Sequence, residues 1–303
     1  MPTLYTQAEK NVKKTWLLMT TFLVLLIFLG WLFSYLLNNY AILIIAVIIS
    51  LLINFSSYWY SDKIVLKMAK AKPIEKKDFP ELFRIVENLS ITAGLPTPKI
   101  FVMSEQQPNA FTTGRDASHA IIVVTQGLLD KLKRKELEGV IAHEISHIGN
   151  KDILLGTVIV ILVGFIALLS NWFLRISFWG SARRRDNDSQ FGTLIFFLGI
   201  LAAILAPIAA QLIQLAISRK REFLADANGA LLTRYPEGLA QALKKIAEDK
   251  TSLRNVNIST AHLYIESPFK SKQKKNWFVK LFMTHPPVEE RIKALLSMNL
   301  QSK

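Results

Sequence analysis

Two stretches without a single charged side chain open the sequence, residues 16–37 and 40–60, separated only by Asn38 and Asn39. Each is about as long as an α-helix that crosses the roughly 30 Å hydrocarbon core of a bilayer. So short a link predicts an antiparallel hairpin of two spanning helices. Trp16 at one end of the pair, and Tyr58, Trp59 and Tyr60 at the other, stand where aromatic rings settle at membrane interfaces. A cleaved leader would have a shorter apolar core and a small-residue cleavage site; Leu36, Leu37, Asn38, Asn39 and Tyr40 offer none. Residues 62–150 have soluble character. Apolar positions at Leu82, Phe83, Val86, Leu89 and Ile91 predict an amphipathic helix over 79–93 that stops near Gly94. Residues 99–103 (KIFVM) and 120–125 (AIIVVT) predict strands, 107–114 between them reads as a loop, and 128–150 reads as one helix. A third apolar run, 153–174, and a fourth, 191–217, follow; Pro207 in the fourth predicts a kink. From residue 218 the chain is soluble again, with a helix predicted over 237–248, a polar stretch at 270–275 and a last helix after 284–287. The expected divisions are 1–60, a membrane hairpin; 61–152, the first part of a catalytic domain; 153–217, a second apolar hairpin; and 218–303, the second part.

Charge orients this pattern. Lys10, Lys13 and Lys14 precede the first hairpin and Lys63, Lys67, Lys70 and Lys72 follow it, whereas its link carries no charge. The positive-inside rule then places both ends, and the domain that begins at residue 61, on the cytoplasmic side of a multi-pass cell-membrane protein. The loop after the third run conflicts with this scheme. It carries Arg175, Arg183, Arg184 and Arg185 against Asp186 and Asp188, yet a full second hairpin would put it outside. The sequence leaves open whether 153–217 crosses completely. The net charge of +14 suits contact with anionic lipid, and no nucleic-acid motif accompanies it. The absence of Cys excludes disulfides, thiolate metal ligands and cysteine nucleophiles.

The chemistry concentrates in residues 136–150, ELEGVIAHEISHIGN. His143 and His147 are four apart, so on a helix both imidazoles share one face and can grip one metal ion, with Glu144 beside them. Roughly 0.004 such motifs are expected by chance at this His and Glu content. The bland alternative is a pair of histidines near lipid headgroups. A catalytic zinc takes three protein ligands and keeps one position open. The best third candidate is Glu222, which opens a helix emerging from the fourth apolar run and so returns to the membrane surface near His147. Asp226, one turn further, is placed to accept the free ring N–H of a ligand histidine. Alone, both acids read better as a solvated helix face or as partners of Arg219 and Arg221; beside the H-E-x-x-H motif the preference reverses. With a zinc ion the reaction is amide hydrolysis, in which Glu144 takes a proton from the attacking water and passes it to the leaving nitrogen. An oxyanion stabiliser besides zinc is needed. The strand at 120–125 is a candidate for pairing with an extended peptide through a sheet edge; an ordinary core strand is the competing reading.

Four pieces, PNAFTTG (108–114), HEISHIGN (143–150), SRKREFLADANGALL (218–232) and THPPVEERI (284–292), in that order, with two apolar runs before and two after the first soluble part, resemble the HtpX family of membrane-bound zinc metalloproteases, relatives of the CAAX prenyl proteases. The resemblance spans essentially the whole chain. It implies a mainly α integral membrane protein: two N-terminal transmembrane helices, a gluzincin-like α+β domain with a small edge-strand sheet, and a second hydrophobic hairpin between the zinc motif and the third ligand. It implies one zinc per subunit on His143, His147 and Glu222, Glu144 as base, and Asp226 behind the ligands. It further implies Asn109 near the substrate and His285 and Arg291 at the oxyanion. The implied substrates are polypeptides, above all misfolded or damaged membrane proteins in bacteria under stress; oligomeric state is not implied. Thr113 departs from the Ala common in the family. Two other readings are weighed. In an intramembrane protease of the site-2 kind the motif helix would lie in lipid, against which stand Arg134, Lys135, Glu136 and Glu138 on the same helix. A non-enzymatic metal-binding scaffold would close its site with a fourth ligand, which is not evident, and would leave Glu144 without a task.

Overall fold

The computed structural model describes residues 4–36, 38–182, 208, 212, 218–251, 259–266 and 286–298. Helix α1 (Leu4–Leu36) and helix α2 (Tyr40–Trp59) form the expected hairpin, with Asn39 accepting from the Ala41 N–H to cap α2. At their contact Gly30 lies so close to Ala46 that a side chain there would collide. Helix α1 starts well before the apolar run. From Asn11 to Leu29 its buried side chains, Asn11, Thr15, Met19, Phe22, Leu26 and Leu29, make one stripe at helical spacing, polar at its first two members and apolar at the next four.

After helix α3 (Ser61–Ala69) come strand β1 (Lys72–Pro73) and helix α4 (Pro80–Ala93), which starts at a proline suited to the first turn and ends at Gly94, whose φ of +65° few other residues adopt without strain. Leu82, Ile85, Val86 and Leu89 form its buried face. Strands β2 (Lys99–Met103), β3 (Ala110–Thr113) and β4 (Ile121–Thr125) complete a sheet of order β1-β2-β4-β3, with β4 parallel to β2 and antiparallel to β3. Two expectations are corrected here. Residues 110–113, read as loop, are a strand, because pairing with β4 supplies the order that local composition does not. The strand at 120–125 is central and cannot take a peptide through an edge; β3 is the edge beside the motif helix. Ile121, Ile122, Val123, Val124 and Thr125 are all buried since both faces of β4 are covered. One face packs on α4 and the motif helix, the other on Val65, Ala69, Val160 and Tyr264.

The stretch read as one helix over 128–150 is two, helix α5 (Gln126–Lys131) and helix α6 (Arg134–Gly149), because Leu132 and Lys133 are extended and the Glu136 carboxylate turns back to accept from the Lys133 N–H at 2.7 Å. Helix α7 (Asp152–Ala182) contains the third apolar run. The loop at 183–190 and nearly all of the fourth run lie outside the described residues. Helices α8 (Arg219–Thr233) and α9 (Pro236–Glu248) pack against α6 and each other, and α10 (Val288–Met298) packs on both of them. Among the described residues three helical segments are long and apolar enough to cross a membrane: Ala8–Tyr35, Ala41–Trp59 and Asp152–Leu169. The first part of α7 is buried on several sides: Leu154, Leu155, Val158, Ile159 and Leu162 meet the α1 stripe, while Val160 meets the sheet.

Candidate metal centre

Helix α6 is the wall on which the site is built. Val140, Ile141, Ile145 and Ile148 are all but inaccessible, and burying each stabilises the wall by about 1.5–3 kcal/mol. Helix α8 crosses α6 at Gly229, where an added Cβ would stand 3.0 Å from the His143 backbone nitrogen. Glu222, Asp226 and Gly229 share one face of α8. Close approach at Gly229 therefore carries Asp226 and Glu222 to the two histidines.

The Nε2 atoms of His143 and His147 are 3.1 Å apart. Glu222 Oε2 lies 3.8 Å from the first and Oε1 3.8 Å from the second. One donor atom from each residue falls within 4.8 Å of the others, the one such cluster among the described residues. The far sides of both rings face carboxylates. His147 Nδ1 is 2.9 Å from Asp152 Oδ2. His143 Nδ1 is 2.9 Å from Asp226 Oδ1, in ion-pair range though off the line of a full hydrogen bond. Carboxylates accept only, so each ring's proton belongs on Nδ1 and the two Nε2 lone pairs point at one another. Between neutral rings that contact is repulsive; the metal-free site relieves it by protonating His147, and a bound metal ion relieves it without the proton. Two nitrogens bound to one zinc at about 2.0–2.1 Å would stand roughly 3.3 Å apart, so the donors fit.

Charge leads to the same point. Among the described residues lining the site, Glu144, Asp152, Glu222 and Asp226 surround the histidines, and Arg221 and Arg291 oppose them. With both imidazoles neutral, as metal ligands are, two negative charges are left over, which one divalent ion balances. Burial works against protonating His147, but its hydrogen bond to Asp152 and the charges of Glu222, Asp152 and Glu144 outweigh burial and lift its pKa to about 9 in the metal-free site. Asp226 shows the reverse: burial raises its pKa, and the Arg291 guanidinium more than offsets this, holding it at about 2.

Glu144 is buried beside the metal donors, and Thr112 on the edge strand donates its hydroxyl to Glu144 Oε2 at 2.5 Å. A hydrogen bond to a charged group contributes about 1.5–3 kcal/mol, enough to hold one rotamer. The cavity that these groups share measures about 50 Å³ and is closed on its far side by His262, Leu263, Tyr264 and Ile265. That volume admits an ion and a water or two, not a peptide side chain. The covering segment is fastened to the sheet and to α7: the Ile265 N–H donates to Ala110 O at 3.0 Å, and His262 Nε2 lies 3.1 Å from Gly156 O.

Asn109 and Arg291 fall outside the cavity lining. Asn109 is fully buried, with its amide donating to Glu266 O at 2.9 Å, so it clips the cover to the start of β3. Arg291 is fully buried, its fork engaging Asp226 at 2.8 and 2.7 Å, with Nη1 3.2 Å from Ile265 O and 3.6 Å from Glu222 Oε2. His285 lies outside the described residues. Sequence reasoning missed Asp152, Thr112 and His262. Asp152 carried a signal: it is the acid that opens the helix just after the motif. The turn at Lys151, whose φ is +55°, brings it back under His147. Thr112 carried none once its strand was read as a loop.

The model of peptidase family M48 matches residues 76–299. A protease HtpX homolog from Caldanaerobacter subterraneus subsp. tengcongensis is 45% identical over 301 residues, covering 98% of this chain and 99% of that protein. Another from Pyrococcus furiosus is 47% identical over 290 residues, covering 95% and 96%. Among solved structures, the crystal structure of S. mikatae Ste24p is similar with a TM-score of 0.48 and 19% identity, over 96% of this chain and 66% of that one.

Proposed function

The chain belongs to peptidase family M48 and is a membrane metalloprotease, and from that premise we propose that it is a zinc endopeptidase whose ion is held by His143, His147 and Glu222. Two imidazoles and one carboxylate are the donor set of catalytic zinc in peptidases, with a position kept for water and substrate. Zinc, when bound, supplies Lewis-acid polarisation of the scissile carbonyl and acidifies the attacking water. Glu144 takes the proton and hands it to the leaving nitrogen. Thr112 keeps the Glu144 carboxylate turned toward the metal donors. Asp152 and Asp226 hold the two rings with Nε2 inward. Asp226 is in turn held by Arg291, so Arg291 serves the site through Asp226. The observation that carries the reading is the convergence of both Nε2 atoms and the Glu222 carboxylate on one point beside a fixed Glu144.

The substrate is an extended polypeptide, and the edge of β3 is its dock. Thr125 N donates to Asn109 O, and the alternation of an antiparallel pair then turns the N–H and C=O of Thr112 away from β4, toward the side where Ile265 already meets Ala110. A peptide laid along that edge brings its carbonyl to the metal donors after the segment 259–266 moves aside. The intramembrane reading has less support, because α6 and α8, which carry the three ligands, lie outside the three apolar spans.

Membrane position follows from α1. Trp16 pairs with Tyr58 at 5.7 Å, and Trp59 and Tyr60 lie beside them. Tyr35 and Tyr40 mark the other end of the hairpin. From Trp16 to Tyr35 the helix rises about 28 Å, close to a hydrocarbon core. The lysines flanking the Trp16 end support a catalytic domain on the cytoplasmic face of the cell membrane, and the role proposed for it there is removal of damaged membrane proteins under stress. Zinc analysis of the purified chain tests the ligand set. About one zinc per wild-type chain and its loss in Glu222→Ala are expected; undiminished zinc in Glu222→Ala removes Glu222 from the set. The Cys-free background allows the orientation to be tested with single cysteines at Asn39 and Lys76. Labelling of Asn39→Cys from outside only and Lys76→Cys from inside only is expected, and the reverse overturns the orientation.

A further inference from the structure

The family match begins at residue 76, yet a residue from the first helix reaches the metal centre. Asn11 is the fully buried, polar first member of the α1 stripe. Its Nδ2 donates to Asp152 Oδ1 at 2.7 Å and to Asn150 O at 3.0 Å. Both partners are acceptors, so the amide cannot be turned the other way round without setting oxygen against oxygen. Asp152 receives Arg221 Nε at 3.3 Å on that same Oδ1, and its Oδ2 faces His147 Nδ1 at 2.9 Å. One carboxylate oxygen is thus fixed from two sides, which sets the direction of the other.

We infer that Asn11 is a positioning residue of the metal centre, contributed by the membrane hairpin. It locks the Asp152 carboxylate and, through it, the ring of His147. Asn11 also ties α1 to the turn between the motif helix and α7, through Asn150 O. The catalytic domain therefore has its His147 side completed by a helix that belongs to the membrane. A carboxylate free to rotate about its Cβ–Cγ bond would hold the imidazole less firmly, and the ion would leave faster. The stripe explains why an Asn is there. Below it, Met19, Phe22, Leu26 and Leu29 meet the apolar face of α7; at its own level the facing group is Asp152, and only a donor satisfies it.

The inference rests on the zinc reading, and its test separates the two. Full-length protein in detergent is loaded with zinc, and release to a chromophoric chelator is followed for wild type, Asn11→Leu, Asp152→Ala, the double variant and Thr15→Val. Partners behind metal ligands typically change affinity by 10–100-fold, so Asn11→Leu is expected to release zinc about tenfold faster. The double variant is expected to match Asp152→Ala, since Asn11 reaches the His147 ring through that carboxylate. Thr15 is the next buried polar member of the stripe and, among the described residues, its hydroxyl bonds to the Asn11 carbonyl in its own helix alone. Thr15→Val is expected to release at the wild-type rate. Wild-type release from Asn11→Leu, fully additive effects in the double variant, or equal acceleration by Thr15→Val each overturn the role of Asn11 while leaving the zinc site standing. Wild-type chain that takes up no zinc overturns the zinc reading itself.

Discussion

Replacing Arg291 by Met separates two roles that a buried arginine near a catalytic metal can have. Its fork holds both oxygens of Asp226 at 2.8 and 2.7 Å, it is wholly inaccessible, and Asp226 in turn stands behind His143. Arg291→Met leaves a buried carboxylate with no cation except through the imidazole. Removing one partner of a buried pair costs about 3–5 kcal/mol. For a chain of this size that lowers Tm by roughly 10 °C. His143 also loses its orienting group, so zinc affinity falls by about 10–100-fold. Adding Asp226→Leu removes the stranded charge. Stability should then return most of the way, because apolar replacement of a whole buried pair is often neutral, while zinc affinity should stay low since nothing orients the ring. The assays are thermal unfolding in detergent and zinc competition against a chelator. If Arg291→Met keeps wild-type stability and zinc affinity and loses only kcat, Arg291 meets the oxyanion directly, as the family resemblance implied, and the account of it acting through Asp226 is refuted.

Three further outcomes are expected. Thr112→Val removes the hydroxyl on Glu144 Oε2; kcat for peptide cleavage should fall about tenfold with zinc content unchanged, equal to the loss of the 1.5–3 kcal/mol that such a bond contributes at its lower end. Gly229→Val sets a branched side chain against the His143 backbone; α8 must shift, Glu222 moves away from the histidines, and metal analysis should show zinc lost, whereas zinc retained at wild-type level contradicts the close-approach argument. Asp226, held at about 2 against an ordinary 3.8, contributes about 2 kcal/mol that is fully present above pH 4 and disappears as pH falls through 2. Denaturant midpoints of the metal-free chain between pH 5 and 2 should therefore drop more for wild type than for the Arg291→Met, Asp226→Leu double variant.

The sequence carried the site further than the fold. The four-residue spacing of His143 and His147, with Glu222 returning after the apolar runs, needs only helical geometry and chain direction, and both are local properties. The amphipathic helix ending at Gly94 and the strands at 99–103 and 121–125 were legible for the same reason. What was not legible depends on pairing at long range. Residues 110–113 are too short and too polar to announce a strand, and become one by lying beside β4. An all-apolar strand suits either an edge or a centre until its neighbours are known. Leu132 and Lys133 interrupt a helical pattern only because Glu136 folds back on Lys133. In the sequence Asn11 stands among Lys10, Lys13 and Lys14 ahead of the first apolar run. Its partner, Asp152, is 141 residues away, and no periodicity links them.

Cleavage of casein by full-length wild type and Glu144→Gln, each with its zinc counted, bears most directly on the claim that Glu144 works as the base of a zinc peptidase. Wild type should hold one zinc and cleave; Glu144→Gln should hold one zinc and cleave at least about 100-fold more slowly, the loss of general base catalysis. Equal cleavage by the two proteins, or equal inertness while both hold zinc, contradicts the claim.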